Sequence, residues 1–135
     1  MQKQYLILDI SGVLITKDKW GNTKTNKELI AYLLTQKDKF SYVLLTNNLP
    51  EVERHMEAVY GIPMFYERFI SSHTYGRAKS DPKLYDEVLA LLLATPEQCT
   101  FTDDIAPHVE AARTLGIRGI VYQNFEQFKK ELESM

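Results

Sequence analysis

The chain has little of what marks secreted, membrane or nucleic-acid-binding proteins. Its single cysteine, Cys99, excludes an intramolecular disulfide and is typical of a reducing compartment. No apolar run approaches the roughly 18 residues of a membrane span, and no small-residue cleavage site follows the apolar N-terminal stretch. The net charge of -2 comes without a basic stripe, so nucleic-acid binding has little electrostatic support. We therefore expect a cytoplasmic protein with neither a membrane nor a nucleic acid as partner.

The sequence also lacks internal repeats, low-complexity tracts and a linker. Its length suits one domain over residues 1–135 with a substantial core. Apolar runs typical of buried strands alternate with amphipathic helical segments along the whole chain. The predicted strands lie at residues 4–9, 40–46, 68–71, 99–102 and 117–122. Such alternation indicates an α/β fold, with a mostly parallel sheet and helices on both of its faces.

Capping and turn residues set the predicted helices. The first is expected to begin at Thr25, with Glu28 three residues later completing a capping box. A second is expected between Pro50 and Gly61, because proline favours helix starts and glycine favours helix ends. Further helices are predicted to begin at Asp81-Pro82, Pro107 and Asn124. Residues 12–24 are predicted to form a loop or a small hairpin.

Polar residues follow four of the predicted strands, at the point where each strand ends. Asp9 follows the first strand and Thr46-Asn47-Asn48 the second, while Lys79 follows the third and Asp103-Asp104 the fourth. A buried carboxylate such as Asp9 costs free energy unless a cation or several donors compensate it. Open α/β sheets bind ligands beyond the carboxyl ends of their strands. We therefore expect these polar groups to converge at one edge of the sheet.

The side chains in these clusters suit phosphoryl chemistry. Three carboxylates at one edge would repel each other unless a cation joined them, and oxygen-only ligands suit Mg²⁺. A hydroxyl, a side-chain amide and an ammonium nearby can hold the oxygens of a phosphoryl group. A carboxylate beside Mg²⁺ can act as a nucleophile and form an aspartyl-phosphate. The clusters therefore indicate a site for Mg²⁺ and a phosphorylated substrate.

Each cluster also has a plainer interpretation. Thr46-Asn47-Asn48 could be a helix-capping turn, and one of Asp103 and Asp104 could cap the following helix. Lys79 could be an ordinary solvated lysine, and Asp9 could be no more than a turn residue. These alternatives concern single positions, whereas the functional interpretation rests on all four clusters together.

Four sequence blocks, taken in order, resemble the motifs of the haloacid dehalogenase superfamily. They read YLILDISGVL, LLTNN, RAKSDPKLY and FTDDIAPHVEAARTLGIRGIVY, and they cover nearly the whole chain. The last block is the most specific, and the chain resembles the subgroup that holds dehalogenases and epoxide-hydrolase-type phosphatases. The resemblance implies a Rossmann-like three-layer sandwich whose five-stranded parallel sheet has the order 5-4-1-2-3.

The resemblance also implies a role for each motif residue. Asp9 would be the nucleophile, and Lys79 would steady both Asp9 and the phosphate. The implied phosphate-binding residues are Thr46, Asn47, Gly12 and Lys79. The implied ligands of Mg²⁺ are Asp9, Asp103, Asp104 and the backbone carbonyl of Ser11.

Two positions depart from the pattern of phosphatases in this superfamily. Ser11 stands where they have an aspartate that protonates the leaving group and later activates water, and losing such a group costs roughly 10²–10⁴-fold in rate. His108 stands where relatives with an aspartate pair often have asparagine. With Asp9, Ser11 and Lys79 as catalytic residues, we expect an impaired or altered phosphohydrolase. The alternative is a degenerate member that binds a phosphorylated ligand or a protein partner.

The sequence leaves no room for a cap domain. There are 36 residues between Asp9 and Thr46 and 32 between Thr46 and Lys79, and the predicted strands and helices use all of them. The segment around Trp20 is the one local candidate for a lid. An open site suggests a large substrate or a lid from a partner subunit. It is compatible with a homo-oligomer but does not require one.

Overall fold

A computed structural model gives the fold of residues 2–135. The strands are β1 (Tyr5–Leu8), β2 (Ile15–Lys17), β3 (Thr23–Thr25), β4 (Ser41–Thr46), β5 (Arg68–Ser71), β6 (Cys99–Asp103) and β7 (Arg118–Val121). The α-helices are α1 (Lys27–Thr35), α2 (Ser72–Tyr75), α3 (Pro82–Leu92), α4 (Ala106–Arg113) and α5 (Phe125–Glu133). Two short 3₁₀ helices span Pro50–His55 and Pro96–Gln98.

Five of these strands form one parallel sheet in the order β5-β4-β1-β6-β7. When only the five parallel strands are numbered in chain order and the sheet is read from β7 to β5, the order is 5-4-1-2-3. The predicted strand order is therefore confirmed. The central strand β1 is buried along its whole length and pairs with β4 on one side and β6 on the other. Asp9 consequently follows the middle strand, at the centre of the carboxyl edge of the sheet.

Alternate residues of β1 point into two different apolar cores. Leu6 and Leu8 join a cluster that includes Leu29 of α1 and Phe128 of α5. The other two residues of the strand join a second cluster, with contributions from α3 and α4. Helices therefore cover both faces of the sheet, which explains why β1 reads as a continuous apolar run rather than an alternating one. The predicted three-layer sandwich is confirmed.

The predicted helix start at Thr25 is wrong by one residue. Asn26 is the N-cap of α1, and its side chain accepts a hydrogen bond from the N–H of Leu29 at 3.3 Å. Thr25 remains extended because it pairs with Ile15 in the hairpin. Its hydroxyl donates to the carbonyl of Tyr60 instead of capping the helix.

The helix predicted between Pro50 and Gly61 is also shorter than expected. The regular part is the 3₁₀ helix Pro50–His55, in which no residue is buried. Val52 alone among these six residues packs against the apolar core, and only partly, so this short helix gains little from tertiary contacts. The chain continues as irregular turns, and Gly61 ends them in the left-handed conformation, with φ of +67°.

The other predicted helix starts are confirmed. The Asp81 side chain accepts from the N–H of Lys83 at 3.0 Å, and Asn124 accepts from that of Gln127 at 2.8 Å. Pro107 lies in the first turn of α4. Nowhere in residues 2–135 does a helix combine the length and apolar character that crossing a membrane requires.

Residues 12–24 contain the predicted small hairpin. Its strands β2 and β3 pair antiparallel. The carboxylate of Asp18 closes the turn by accepting from the N–H groups of Trp20 and Asn22, both at 2.9 Å. Trp20 at the tip is 75% exposed, and the centroid of its ring lies 5.0 Å from Nζ of Lys19. Residues 2–135 hold no inserted cap domain, and the hairpin lies beside the carboxyl edge, where Ile15 and Thr23 border the same groove as Ser11 and Asp104.

Candidate active site

Asp9, Lys79 and Asp103 form a buried charged network at the carboxyl edge of the sheet. The Nζ of Lys79 donates to Oδ1 of Asp9 at 2.5 Å and to Oδ2 of Asp103 at 3.1 Å. Lys79 is only 1% exposed. An ammonium buried this deeply requires charged partners, because desolvating it alone costs several kcal/mol. The interpretation of Lys79 as a solvated surface lysine is therefore wrong.

Tyr85 on α3 supports the backbone on both sides of this network. Its hydroxyl lies 2.7 Å from the carbonyl oxygen of Lys79 and 3.2 Å from that of His108. Tyr85 lies on the buried face of α3 beside Leu84 and Val88, and its spacing predicted no more than a core position. A signal was nevertheless present, because a tyrosine on a fully apolar face needs a hydrogen-bond partner for its hydroxyl.

Asp103 is held by three donors. Its Oδ1 accepts from the N–H of Ile105 at 2.9 Å, and its Oδ2 lies 3.1 Å from both Nζ of Lys79 and Nδ1 of His108. Burial alone would raise the pKa of Asp103, but these partners outweigh it and hold the pKa below its ordinary value. His108 thus keeps a polar contact to the aspartate pair. Asp103 also closes the turn before α4 through its bond to Ile105, but the N-cap of α4 is Ile105 and no side chain caps the helix, so the capping interpretation is wrong.

The other two carboxylates, Asp9 and Asp104, have pKa values above the ordinary value of an aspartate. Burial raises the pKa of Asp9 to about 7, with Asp103 adding to the effect and Lys79 opposing it. Burial and the hydrogen bond to Asp103 raise the pKa of Asp104 as well. Three carboxylates therefore share one ammonium, and the group has room for a further positive charge.

The carboxylate cluster fits a divalent cation. Asp9, Asp103 and Asp104 each offer an oxygen, and these oxygens lie within 4.8 Å of one another. Hard oxygen ligands of this kind suit Mg²⁺ rather than a soft transition metal. Asp104 is exposed, which gives a cation access from solvent. Burial is the main cause of the raised pKa of Asp9 and the charge of Asp103 adds to it, and a bound cation would oppose both effects.

Gly12 makes room for Asp104. Its φ is +95°, and a Cβ at this position would lie 2.2 Å from Oδ2 of Asp104. Its N–H donates to the carbonyl of Ile15 at 2.7 Å. The predicted phosphate contact of Gly12 therefore has no free backbone donor, and the glycine acts instead on the position of a carboxylate.

Thr46 is the last residue of β4, the strand next to β1, and Asn47 follows it, so both share the carboxyl edge with Asp9. The buried Thr46 accepts from the N–H of Asn48 through its Oγ1 at 3.0 Å, which leaves its own O–H free to donate. Asn47 is exposed, and its Oδ1 accepts from the hydroxyl of Ser72 at 2.7 Å. The local turn that was the plainer interpretation is present. It coexists with a hydroxyl and an amide at the expected edge.

A groove of about 440 Å³ lies between this edge and the hairpin. Ile15, Lys17 and Thr23 border it on the hairpin side, and Ser11, Asp104 and Ile105 border it on the other. A larger depression of about 810 Å³ lies at the opposite, amino edge of the sheet, beside Lys39 and Phe40. None of the predicted site residues borders that depression, whereas Asn47 borders a smaller one of about 320 Å³ and Ser11, Gly12 and Asp104 all border the groove beside the hairpin.

Comparisons with known proteins agree with this arrangement. A sequence profile described as haloacid dehalogenase-like hydrolase matches residues 4–116. The chain is 32% identical over 117 residues to bifunctional epoxide hydrolase 2 of Sus scrofa. This match covers 83% of the chain and 21% of that protein. It is 34% identical over 76 residues to a phosphatase of Mycobacterium tuberculosis, which covers 56% of the chain and 35% of that protein. The chain thus spans about a fifth to a third of the length of these relatives.

The fold also matches solved structures. A HAD family enzyme from Bacteroides thetaiotaomicron superimposes with a TM-score of 0.81 at 14% identity, over 98% of this chain and 99% of the other. The same enzyme in complex with magnesium and inorganic phosphate gives a TM-score of 0.71 at 16% identity, over 90% of this chain and 95% of the other. At these identities the likeness concerns the fold.

Proposed function

The chain belongs to the haloacid dehalogenase-like hydrolases, and from that membership we propose that it is a Mg²⁺-dependent phosphohydrolase acting through Asp9. The observation that carries the proposal is the buried network of Asp9, Lys79 and Asp103 with Asp104 beside it. Such a cluster is costly for stability, and strongly perturbed carboxylates at an open edge are typical of functional sites. The phosphatase relative, and the structural neighbour crystallised with magnesium and phosphate, support the same chemistry.

The proposed metal site uses oxygen ligands only. Asp9, Asp103, Asp104 and the backbone carbonyl of Ser11 would hold Mg²⁺. When bound, the ion supplies positive charge that stabilises a phosphoryl group during transfer. Asp103 has a second role in this proposal, because the hydrogen bond that it accepts from Lys79 keeps the lysine in place.

Asp9 is the proposed nucleophile. A carboxylate oxygen of Asp9 attacks phosphorus, the bond to the leaving oxygen breaks, and the phosphoryl group passes to Asp9. Lys79 favours the ionised form of Asp9 through their 2.5 Å contact and offsets charge on the transferred group. The free O–H of Thr46 and the amide of Asn47 donate to phosphoryl oxygens. Water then releases phosphate and regenerates the carboxylate.

Ser11 weakens both halves of this reaction. A serine hydroxyl has no ionisation near neutral pH, so it neither protonates the leaving oxygen nor activates the attacking water. Each lost function corresponds to roughly 10²–10⁴-fold in rate. The proposal is therefore an enzyme with a slow or altered hydrolytic step.

The same residue favours a second candidate function. With Ser11 at the acid/base position, the site could bind Mg²⁺ and a phosphorylated ligand or protein partner without turnover. This candidate requires an intact cation site and an Asp9 that does not become phosphorylated.

Hydrolysis of 4-nitrophenyl phosphate with Mg²⁺ tests the proposal, with wild type beside Asp9→Asn. Asn preserves the shape of the side chain and removes the nucleophilic charge. Release of nitrophenol that needs both Mg²⁺ and Asp9 supports the phosphohydrolase. Equal rates for the two proteins, together with no beryllofluoride complex on Asp9, favour the binding function.

The proposal treats residues 1–135 as one catalytic domain without a cap, acting in the cytoplasm on a phosphorylated substrate. Cys99 is buried at the start of β6, as a reduced structural cysteine would be.

A further inference from the structure

The groove beside Ser11 has few groups that can donate a proton. Among the residues bordering it, only Lys17 and Asp104 have ionisable side chains. Asp104 is a proposed ligand of Mg²⁺, and in that role its oxygens face the ion. Lys17 brings a positive charge, and no histidine or second carboxylic acid borders the groove. A leaving group that lies in this groove therefore receives no proton from a well-matched side chain.

The chemistry of the leaving oxygen then decides which substrates react. As the bond to phosphorus breaks, the leaving oxygen keeps the electron pair and departs as an anion. An alkoxide is a poor leaving group, since the hydroxyl group of an alcohol, like that of water, ionises only far above neutral pH. A phenol, with a pKa of about 10, and a carboxylic acid, with a pKa of about 4, are far better ones.

We propose that this site acts on activated phosphoryl compounds, meaning acyl and aryl phosphates whose leaving group is stable as an anion, rather than on phosphate esters of ordinary alcohols. The inference rests on the proposed function and narrows its substrate class. The groove suits such a leaving group, because Ile15 and Ile105 offer apolar contact and Lys17 offers a positive charge for the departing oxygen.

Both steps balance without a further reactant. In the first, the Asp9–phosphorus bond forms and the anionic leaving group is released. In the second, water attacks phosphorus, its proton passes to solvent, and Asp9 and inorganic phosphate separate. Because Ser11 activates no water, the second step is slow for every substrate. Activated substrates should therefore give a burst of leaving group equal to the enzyme concentration and then share one steady rate.

A panel of substrates tests the inference. We would measure kcat/KM with Mg²⁺ for acetyl phosphate, 4-nitrophenyl phosphate, phenyl phosphate and glycerol phosphate, in wild type, Ser11→Asp and Asp9→Asn. Wild type should lose at least about 100-fold between 4-nitrophenyl phosphate and glycerol phosphate. Ser11→Asp should raise the rate on glycerol phosphate by roughly 10²–10⁴-fold, the value of a positioned general acid. It should change the rate on 4-nitrophenyl phosphate far less.

The outcomes separate this inference from the function on which it rests. Asp9-dependent turnover of glycerol phosphate as fast as that of 4-nitrophenyl phosphate would overturn the inference and leave the phosphohydrolase standing. No Asp9-dependent turnover of any substrate, and no burst, would overturn both. The wild-type panel decides the question even if Ser11→Asp fails to fold.

Two lysines of the hairpin provide a matched control for the groove. Lys17 borders it, whereas Lys24 on the paired strand does not. Lys17→Ala should raise KM for 4-nitrophenyl phosphate roughly two- to fivefold, as expected for an exposed charge contact. Lys24→Ala removes the same charge from the same hairpin and should leave KM unchanged. Equal effects of the two variants would show that the leaving group does not lie in this groove.

Discussion

Gly12→Ala tests two properties of this glycine separately: its left-handed backbone conformation and the space that it leaves for Asp104. With φ at +95°, an alanine pays about 1–2 kcal/mol in backbone strain. Its Cβ would also lie 2.2 Å from Oδ2 and 2.3 Å from Cγ of Asp104. Asp104 is exposed and can turn away at little cost in folding. The collision should therefore appear in metal binding, and the strain in stability.

Gly21→Ala is the control for backbone strain. Gly21 has φ of +83°, and a Cβ there would meet nothing within 4 Å. We expect both variants to lose about 1–2 kcal/mol of unfolding free energy, which corresponds to roughly 3–8 °C in Tm for a chain of this size. Only Gly12→Ala should weaken Mg²⁺ binding. The loss should be at least about tenfold, because even the displacement of groups that merely orient metal ligands costs 10–100-fold.

Urea unfolding and calorimetric titration with Mg²⁺ measure the two effects independently. If Gly12→Ala binds Mg²⁺ as tightly as wild type, Asp104 is not a ligand and the argument fails. If Gly21→Ala loses the same affinity, strain in the loops rather than the contact with Asp104 controls the metal. Either result would require a different set of ligands at this edge.

Three further predictions concern charge and backbone. Lys79→Met should lower the unfolding free energy by about 3–5 kcal/mol, because Asp9 and Asp103 stay buried without their cation; urea unfolding should show partial recovery with Mg²⁺, and a loss below about 1 kcal/mol would contradict the reasoning. In a chelator, stability should fall as pH rises from about 4 to about 7, since burial raises the folded pKa of Asp9 to about 7 and the folded state binds the extra proton in that window. Saturating Mg²⁺ should flatten this slope, and a stability that rises with pH would exclude the effect. Leu93→Gly should stabilise the protein by about 1–2 kcal/mol in urea, because Leu93 is 92% exposed and ends α3 at φ of 53°.

The sequence predicted which residues meet at the candidate site better than it predicted the contacts that position them. Asp9, Lys79 and Asp103 are far apart in the chain, yet their convergence was predictable because each lies at the end of a parallel strand or in the connection after it, and parallel strands end at one edge. Strand order was accessible through the resemblance of the four motifs. These predictions depend on periodicity and order, which a sequence carries directly.

The missed features depend on contacts between distant segments. Thr25 matched a helix cap, but its pairing with Ile15 keeps it extended and gives the cap to Asn26. Tyr85 holds two backbone carbonyls that no local pattern connects. The crowding of Gly12 against Asp104 could not be foreseen either, since it depends on how closely two loops approach.

The position of β1 has a consequence for how the chain is made. β1 pairs with β4 on one side and with β6 on the other, so that Tyr5 pairs with both Ser41 and Cys99. During synthesis β1 leaves the ribosome before the other four strands of this sheet and must wait for β6, roughly 5–20 s at about 5–20 residues per second. Over that interval the edge of β1 that β6 will cover stays open to other nascent chains. The central strand of the finished sheet is thus the one that waits longest for its full set of partners.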